Sequence, residues 1–236
     1  MADGTIRCIG ISMFGLIDLE NDCLRAVPRP DWLGAQPAPT KDGIAPPVID
    51  FRTLFKGFPV RLYVGHDSST AAVGEWWKLK QINASFAPAL FVRVRVGIGV
   101  GVAVVGRNGV ERVGRSHLEA GHLPVVRRDG DPRGTCVMHS KEKWDCIEGV
   151  ASEQAILARC KGARRLIDIP SNHVVWNAVA DYMAQLCVAI TTLIAPDMIV
   201  IGGRTMIDGA DRPRTQVLEK IQDTFQHMRG HYTKVL

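Results

Sequence analysis

The sequence predicts an α/β protein with a mixed sheet, and three observations carry that prediction. Apolar strands alternate with segments of helical periodicity, an Asn-Gly dipeptide marks an antiparallel turn, and a strand closed by two glycines follows the longest helix. In chain order, residues 5–13 read as a short apolar strand ending at Phe14-Gly15. Pro28, Pro30, Pro37, Pro39, Pro46 and Pro47 then mark a long irregular connection. A second strand over 59–64 runs into Gly65-His66-Asp67-Ser68-Ser69-Thr70, and residues 71–79 have helical composition with Glu75 in the first turns.

Residues 90–105 alternate branched side chains with Arg and Gly and read as one strand, turned back at Gly106-Arg107-Asn108-Gly109 into a second over 110–113. Apolar residues recur at helical spacing over 147–160 and again over 173–194, where Pro196 ends the helix. A buried strand over 198–201 is closed by Gly202-Gly203, and 214–228 is a last amphipathic helix. The composition shift at 85–88 is the best place for a domain boundary.

With 236 residues, 46% of them hydrophobic, the chain can bury one substantial core or two smaller ones, which excludes general disorder. The most apolar stretch, 87–105, holds Arg93, Arg95, Gly97, Gly99 and Gly101, so it does not read as a membrane span. Asp3 stands where a signal peptide would be basic and then apolar, so a cytoplasmic protein without a membrane partner is expected. Six cysteines in such a chain read as thiols or metal ligands. Cys8, Cys160 and Cys187 sit in apolar patterns and are expected to be small buried hydrophobes, whereas Cys23, Cys136 and Cys146 have polar surroundings. Trp76, Trp77, Trp144 and Trp176 read as packing residues. The net charge of +5 suits a phosphate-bearing ligand but is spread along the chain, so nucleic acid is not expected as a partner.

The sharpest local signal is His122, then Cys136-Val137-Met138-His139, then Cys146. Two imidazoles and two thiolates are the donor set of tetrahedral zinc, and a closed set of four makes a structural site. Their order matches no standard zinc finger, and on spacing alone four unrelated polar loop residues remain the alternative.

Glu119-Ala120-Gly121-His122, the Cys136 to His139 step, and Asp145-Cys146-Ile147-Glu148-Gly149 with Ala151-Ser152 together resemble the signature of the ROK family of sugar kinases and sugar-responsive repressors. Cys-x-x-His in place of an all-cysteine cluster is similar to its fructokinase branch. The resemblance implies an actin-like, hexokinase-type (ribonuclease H-like) fold in two domains. Residues 1–86 would be a remnant of the N-terminal nucleotide- and sugar-binding domain, and 87–236 the C-terminal domain with the zinc loop. It implies structural zinc on His122, Cys136, His139 and Cys146, with Glu119, His122 and Glu148 lining the sugar site. Asp67-Ser68-Ser69-Thr70-Ala71-Ala72-Val73-Gly74-Glu75 resembles the motif that carries the family's catalytic aspartate, which falls on Asp67, with Ser69 beside the sugar. Gly97, Gly99 and Gly101 resemble a phosphate-facing motif, and Gly202 and Gly203 the one beside adenosine. Gly10 to Gly15 with Asp18 looks like the strand and turn beside the sugar, and Pro28-Arg29-Pro30-Asp31-Trp32 like the substrate loop. The implied reaction is phosphoryl transfer from ATP with magnesium to fructose or a related hexose, in a homodimer.

Each role has a plainer counterpart: Asp67 as a helix cap, Glu148 as a first-turn helix charge, Glu119 as a solvated loop residue, and the glycines as bends. The chain also departs from the family pattern. No Asp-x-Gly-Gly-Thr-Lys loop precedes Thr5, and the closing glycine-rich segment and final helix are missing after Tyr232, so a chain incomplete at both ends is expected. Arg95 and Val96 replace a Gly-Thr pair, and Ser69 replaces an Asn. Two readings follow: a fructokinase-like kinase with Asp67 as base, or a non-catalytic, zinc-stabilised sugar-binding protein or kinase fragment. A repressor would need a helix-turn-helix, which does not precede Thr5.

Overall fold

The computed structural model describes residues 6–26, 48–107, 109–110, 117–139, 144–207 and 214–229. The loop expected at 28–32, the return strand over 111–113 and the features placed at Thr5 and Tyr232 lie outside those residues. The chain divides into two compact units, residues 1–86 with 103–118 and residues 87–102 with 119–236.

In the first unit, β1 (Cys8–Met13) is followed by a meander of β2 (Leu16–Asp18), β3 (Cys23–Ala26) and β4 (Ile49–Asp50). Asp18 closes the tight turn between β2 and β3: Oδ1 accepts from the Glu20 and Asn21 amides, and Oδ2 from the Asn21 amide group and the Arg25 guanidinium. Asp50 caps the single-turn helix α1 (Phe51–Leu54) by accepting from the Thr53 amide. The chain then enters β5 (Arg61–His66), parallel to β1 with Ile11 opposite Val64, and turns directly into α2 (Asp67–Ile82). Buried Ile17, Leu24 and Phe51 form the core, with Ile11, Met13, Leu62 and Val64 packed against them. Each such fully buried side chain is worth about 1.5–3 kcal/mol.

The second unit opens with β6 (Leu90–Val96), where Val92, Val94 and Val96 are buried while Arg93 and Arg95 alternate to the other side. The single strand expected over 90–105 is two strands. Gly97 donates its amide to the Gly99 carbonyl at 2.9 Å, and the chain reverses there into β7 (Val100–Gly106). Alternation continues through the turn, which hides it from a reading by periodicity. The last residues of β7 belong to the first unit and pair antiparallel with β8 (Gly109–Val110), Gly106 opposite Gly109, as the Asn-Gly signal predicts.

A short antiparallel pair follows, β9 (Pro124–Val125) with β10 (Asp145–Cys146). The helix expected over 147–160 is broken into α3 (Ile147–Ala151) and α4 (Glu153–Arg159) by Ser152. Ser152 adopts extended geometry and its hydroxyl accepts from the Ala155 amide, restarting the helix as an N-cap. The long α5 (Val175–Ile194) ends at Ala195, which takes a left-handed φ of 48° just before Pro196. Strand β11 (Met198–Gly202) lies parallel to β6 with Val200 opposite Arg93, and α6 (Thr215–Met228) packs its Val217 and Ile221 side on α5.

By length and composition α5 could cross a membrane, although the sequence reading found no such span. Here it is a core helix, with Trp176, Tyr182, Met183 and Leu186 fully buried. Other expectations need correction. Cys8 is exposed at the start of β1, and Cys23, the first residue of β3, is buried despite its polar surroundings in sequence. Trp77 and Trp144 are exposed, whereas Trp176 is the packing residue expected, its ring under the buried Arg214 guanidinium at 4.5 Å.

Candidate active site and metal centre

The β9–β10 pair places Cys146 opposite Pro124, and a 3-10 turn over Ala120–His122 leads into β9, so His122 and Cys146 arrive side by side. His122 Nδ1 stands 3.7 Å from the sulfurs of both Cys136 and Cys146. A second 3-10 turn, Val137–His139, begins directly after Cys136 and brings the His139 ring to 5.2 Å from the His122 ring. One ligand atom from each of His122, Cys136, His139 and Cys146 lies within 4.8 Å of all the others.

Three glycines make this crossing of loops possible. A Cβ on Gly121 would lie 1.9 Å from the Val100 carbonyl oxygen, one on Gly134 2.9 Å from Asp145 Oδ1, and one on Gly149 3.1 Å from the Cys136 Cβ. Asp145, quoted in the motif but given no role by the sequence, is buried and accepts from the Gly134 amide at 2.9 Å. Arg127 and Arg133 also approach it at 3.4 Å, so its carboxylate ties the incoming loop to β10.

These four residues fit a tetrahedral metal. An ion bound at about 2.3 Å by sulfur and about 2.1 Å by nitrogen holds N and S about 3.6 Å apart, close to the spacing found. His139 Nδ1 is buried and makes no hydrogen bond among the described residues. A hydrogen bond between the two sulfurs lowers the Cys136 thiol and raises that of Cys146, so the pair readily gives up one proton. The bond between Cys136 and His122 raises that imidazole. The Cys146 sulfur also accepts from the Gly149 amide at 3.3 Å, capping α3.

Glu148, in the first turn of α3, borders the cluster. Its Oε2 accepts from the Val100 amide at 3.1 Å, its Oε1 lies 3.9 Å from the Cys136 sulfur, and burial pushes its carboxyl up. That contact explains Gly99, where a Cβ would meet Glu148 Oε2 at 2.5 Å. The Gly97 carbonyl accepts from the Glu153 amide, so α4 also holds the glycine turn, while Gly101 follows within β7. Glu119 gives its carbonyl to the His122 amide and is exposed. After β11, Gly203 takes a φ of 102° and presses on Val96, where a Cβ would lie 2.4 Å from the carbonyl oxygen; Gly202 faces the Arg93 guanidinium.

Asp67 lies in the first unit, as the first residue of α2, where β5 ends. Its carboxylate is one-third exposed and sits at the helix N-terminus, 3.3 Å from His66 Nδ1. His66 is the cap of α2, the role that the plainer reading gave to Asp67. Ser69 is half-buried in the first turn. Missed by the sequence reading are His66, its ring partner His117, and the buried Tyr182 with Asp131; no spacing signal links residues so far apart.

Strand, helix and crossing loop in this order define a mixed α/β protein with the actin-like fold of the hexokinase type. The chain belongs to the ROK family, whose profile matches residues 2–232. It is 31% identical over 237 residues to a fructokinase of Pediococcus pentosaceus, covering 98% of this chain and 72% of that protein. It is 26% identical over 243 residues to a fructokinase of Streptococcus mutans, covering 99% and 72%. Among solved structures, the ROK hexokinase of Thermus thermophilus shares the fold with a TM-score of 0.64 at 20% identity, over 94% of this chain and 69% of that one.

Proposed function

We propose that the protein is an ATP-dependent sugar kinase of the fructokinase type, acting on fructose or a related hexose. The observation that carries the proposal is the placement of Asp67 at the junction of β5 and α2, with its carboxylate one-third exposed. In an α/β protein that is where strands present side chains to ligands. Phosphoryl transfer asks for alignment, charge neutralisation and a proton acceptor. Asp67 would take the proton from the attacking sugar hydroxyl as the bond to the γ-phosphorus of ATP forms and the bond to the leaving ADP breaks. Glu119, Glu148, His122 and Ser69 would accept from or donate to sugar hydroxyls.

The amides around Gly97, Gly99 and Gly101 would approach phosphate, and Gly202 and Gly203 the adenosine. Magnesium would travel with ATP. Zinc is the metal proposed for His122, Cys136, His139 and Cys146, where a closed four-ligand ion supplies rigidity rather than reactivity. We assign nucleotide and sugar binding to 1–86 and the zinc-bearing domain to 87–236, in a cytoplasmic homodimer. The 31% and 26% identities to fructokinases support this reading.

One observation favours the second reading, a sugar-binding protein without turnover. Val96 is fully buried where the family pattern offers a phosphate a hydroxyl. The experiment that separates the two is ADP release from ATP and magnesium with a panel of hexoses, comparing wild type with Asp67→Asn. Turnover in the wild type that the substitution abolishes is expected. Equal, negligible turnover in both, with a hexose still binding, would leave the sugar-binding protein.

A further inference from the structure

We propose that Trp144 is a positioning residue for the metal centre: its ring holds the His139 imidazole among the other three ligands and so sets how fast a bound metal exchanges with solution. The inference rests on the zinc assignment above and needs no turnover to be tested. The four ligand residues are held unequally. Cys146 is fully buried in β10, and its sulfur also caps α3. Cys136 is buried and packs closely on Gly149, where a Cβ would lie 3.1 Å from its own. His122 sits in a turn that Gly121 lets lie against the Val100 carbonyl. His139 has less support. It ends a 3-10 turn of three residues whose other two, Val137 and Met138, are 70% and 62% exposed, and its amide donates to the Cys136 carbonyl of the same turn at 3.2 Å.

Two other rings border the His139 imidazole. His122, itself a ligand, lies at 5.2 Å with planes 63° apart, and Trp144 lies closer, at 4.3 Å and 41°. Breaking one bond to a metal costs less than breaking four at once, so release begins with the ligand on the least supported segment. For His139 to swing away, its ring has to give up the Trp144 contact. The indole is not free to follow, because it stands directly before β10. Its neighbour Asp145 is buried, accepts from the Gly134 amide at 2.9 Å and is approached by Arg127 at 3.4 Å, while Cys146 pairs with Pro124. The strand thus anchors the indole, and the indole holds the loop ligand, as outer partners of metal-bound imidazoles commonly do. Trp144 is 39% exposed, so of the two bordering rings it is the one that reaches solvent.

The test loads the full chain with zinc ion, adds an excess of a chromophoric chelator and follows metal release. It compares wild type with Trp144→Leu, Trp144→Phe and, as a control, Trp77→Ala, an exposed tryptophan of the other unit. Wild type and control should bind about one equivalent and release it at the same rate. Trp144→Leu keeps apolar bulk without a flat ring and should release metal about threefold to tenfold faster. Trp144→Phe keeps a ring and should stay within about twofold of wild type. The urea midpoint of the metal-free chain should not move in Trp144→Leu, whereas a merely structural role would lower it. Trp144→Leu binding less than about half an equivalent, with that midpoint unchanged, is the same effect carried further. Release from Trp144→Leu at the wild-type rate, release from Trp144→Phe as fast as from Trp144→Leu, or faster release with a lowered metal-free midpoint would each overturn the positioning role. A wild-type chain that takes up no zinc would remove the metal centre and the role together. Asp67 and the kinase reading stand or fall separately, by the hexose assay.

Discussion

The Tyr182 hydroxyl donates a hydrogen bond to Asp131 Oδ2, joining the middle of α5 to the loop that leads to Cys136, across 51 residues of chain. The same hydroxyl accepts from the Arg128 amide at 3.1 Å, and Arg159 approaches Asp131 at 3.4 Å. Tyr182 is fully buried, while Asp131 is partly exposed. Tyr182→Phe should cost about 1–3 kcal/mol for the lost hydrogen bonds to a carboxylate and from a backbone amide, read as a lower midpoint in urea with an unchanged slope. Its metal content should match the wild type, because none of the four ligand residues has been touched.

Gly121→Ala should be worse for the metal than for the fold. The new Cβ would stand 1.9 Å from the Val100 carbonyl oxygen, so the turn that carries His122 has to move. Bound metal is expected to fall below about half an equivalent by elemental analysis, with a stability loss of about 1–3 kcal/mol.

Cysteine substitutions should sort by position. Cys136→Ser removes one of the two sulfur ligands and should lower bound metal from about one equivalent to less than about half. Cys187→Ala should leave it unchanged, since Cys187 is a buried α5 residue whose thiol burial pushes up to about 12. The same metal analysis checks both.

Asp18 gives the first unit an acid limit. The Asn21 side chain, with help from Arg25 and two backbone amides, holds its carboxyl down to about 2 against an unfolded value of 3.8. A depressed carboxyl stabilises fully above the unfolded value and loses that contribution as pH falls through the folded one. Between pH 4 and pH 2 of the titration, Asp18→Asn should lose about 1–2 kcal/mol less than wild type. Urea unfolding at a series of pH values would show the two curves converging toward acid.

What was legible in the sequence is what repeats locally. The long α5 stopped at Pro196, the β11 strand with its glycines, and the Gly106 to Gly109 hairpin stand where pattern and turn residues put them, whereas α2 already begins at Asp67, ahead of the expected 71–79. The four Cys and His residues were legible as chemistry, and the structure brings their ligand atoms together. Ser152 was not legible as a break, because apolar spacing runs through it while its hydroxyl restarts the helix. Glu148 against Gly99, Asp145 against Gly134, and His66 on His117 pair residues between 11 and 51 positions apart. Such pairs leave no one-dimensional trace, since each partner alone looks like an ordinary polar residue.

Cys146 ends β10 and also caps α3 through the Gly149 amide, which gives one sulfur two employers. Whatever occupies that sulfur is felt along the first turn of the helix that carries Glu148. Heat tolerance should then track the trace-metal supply of the cell, by the mass-action logic of any ligand that prefers the native state, and a starved culture would hold a softer protein than a replete one.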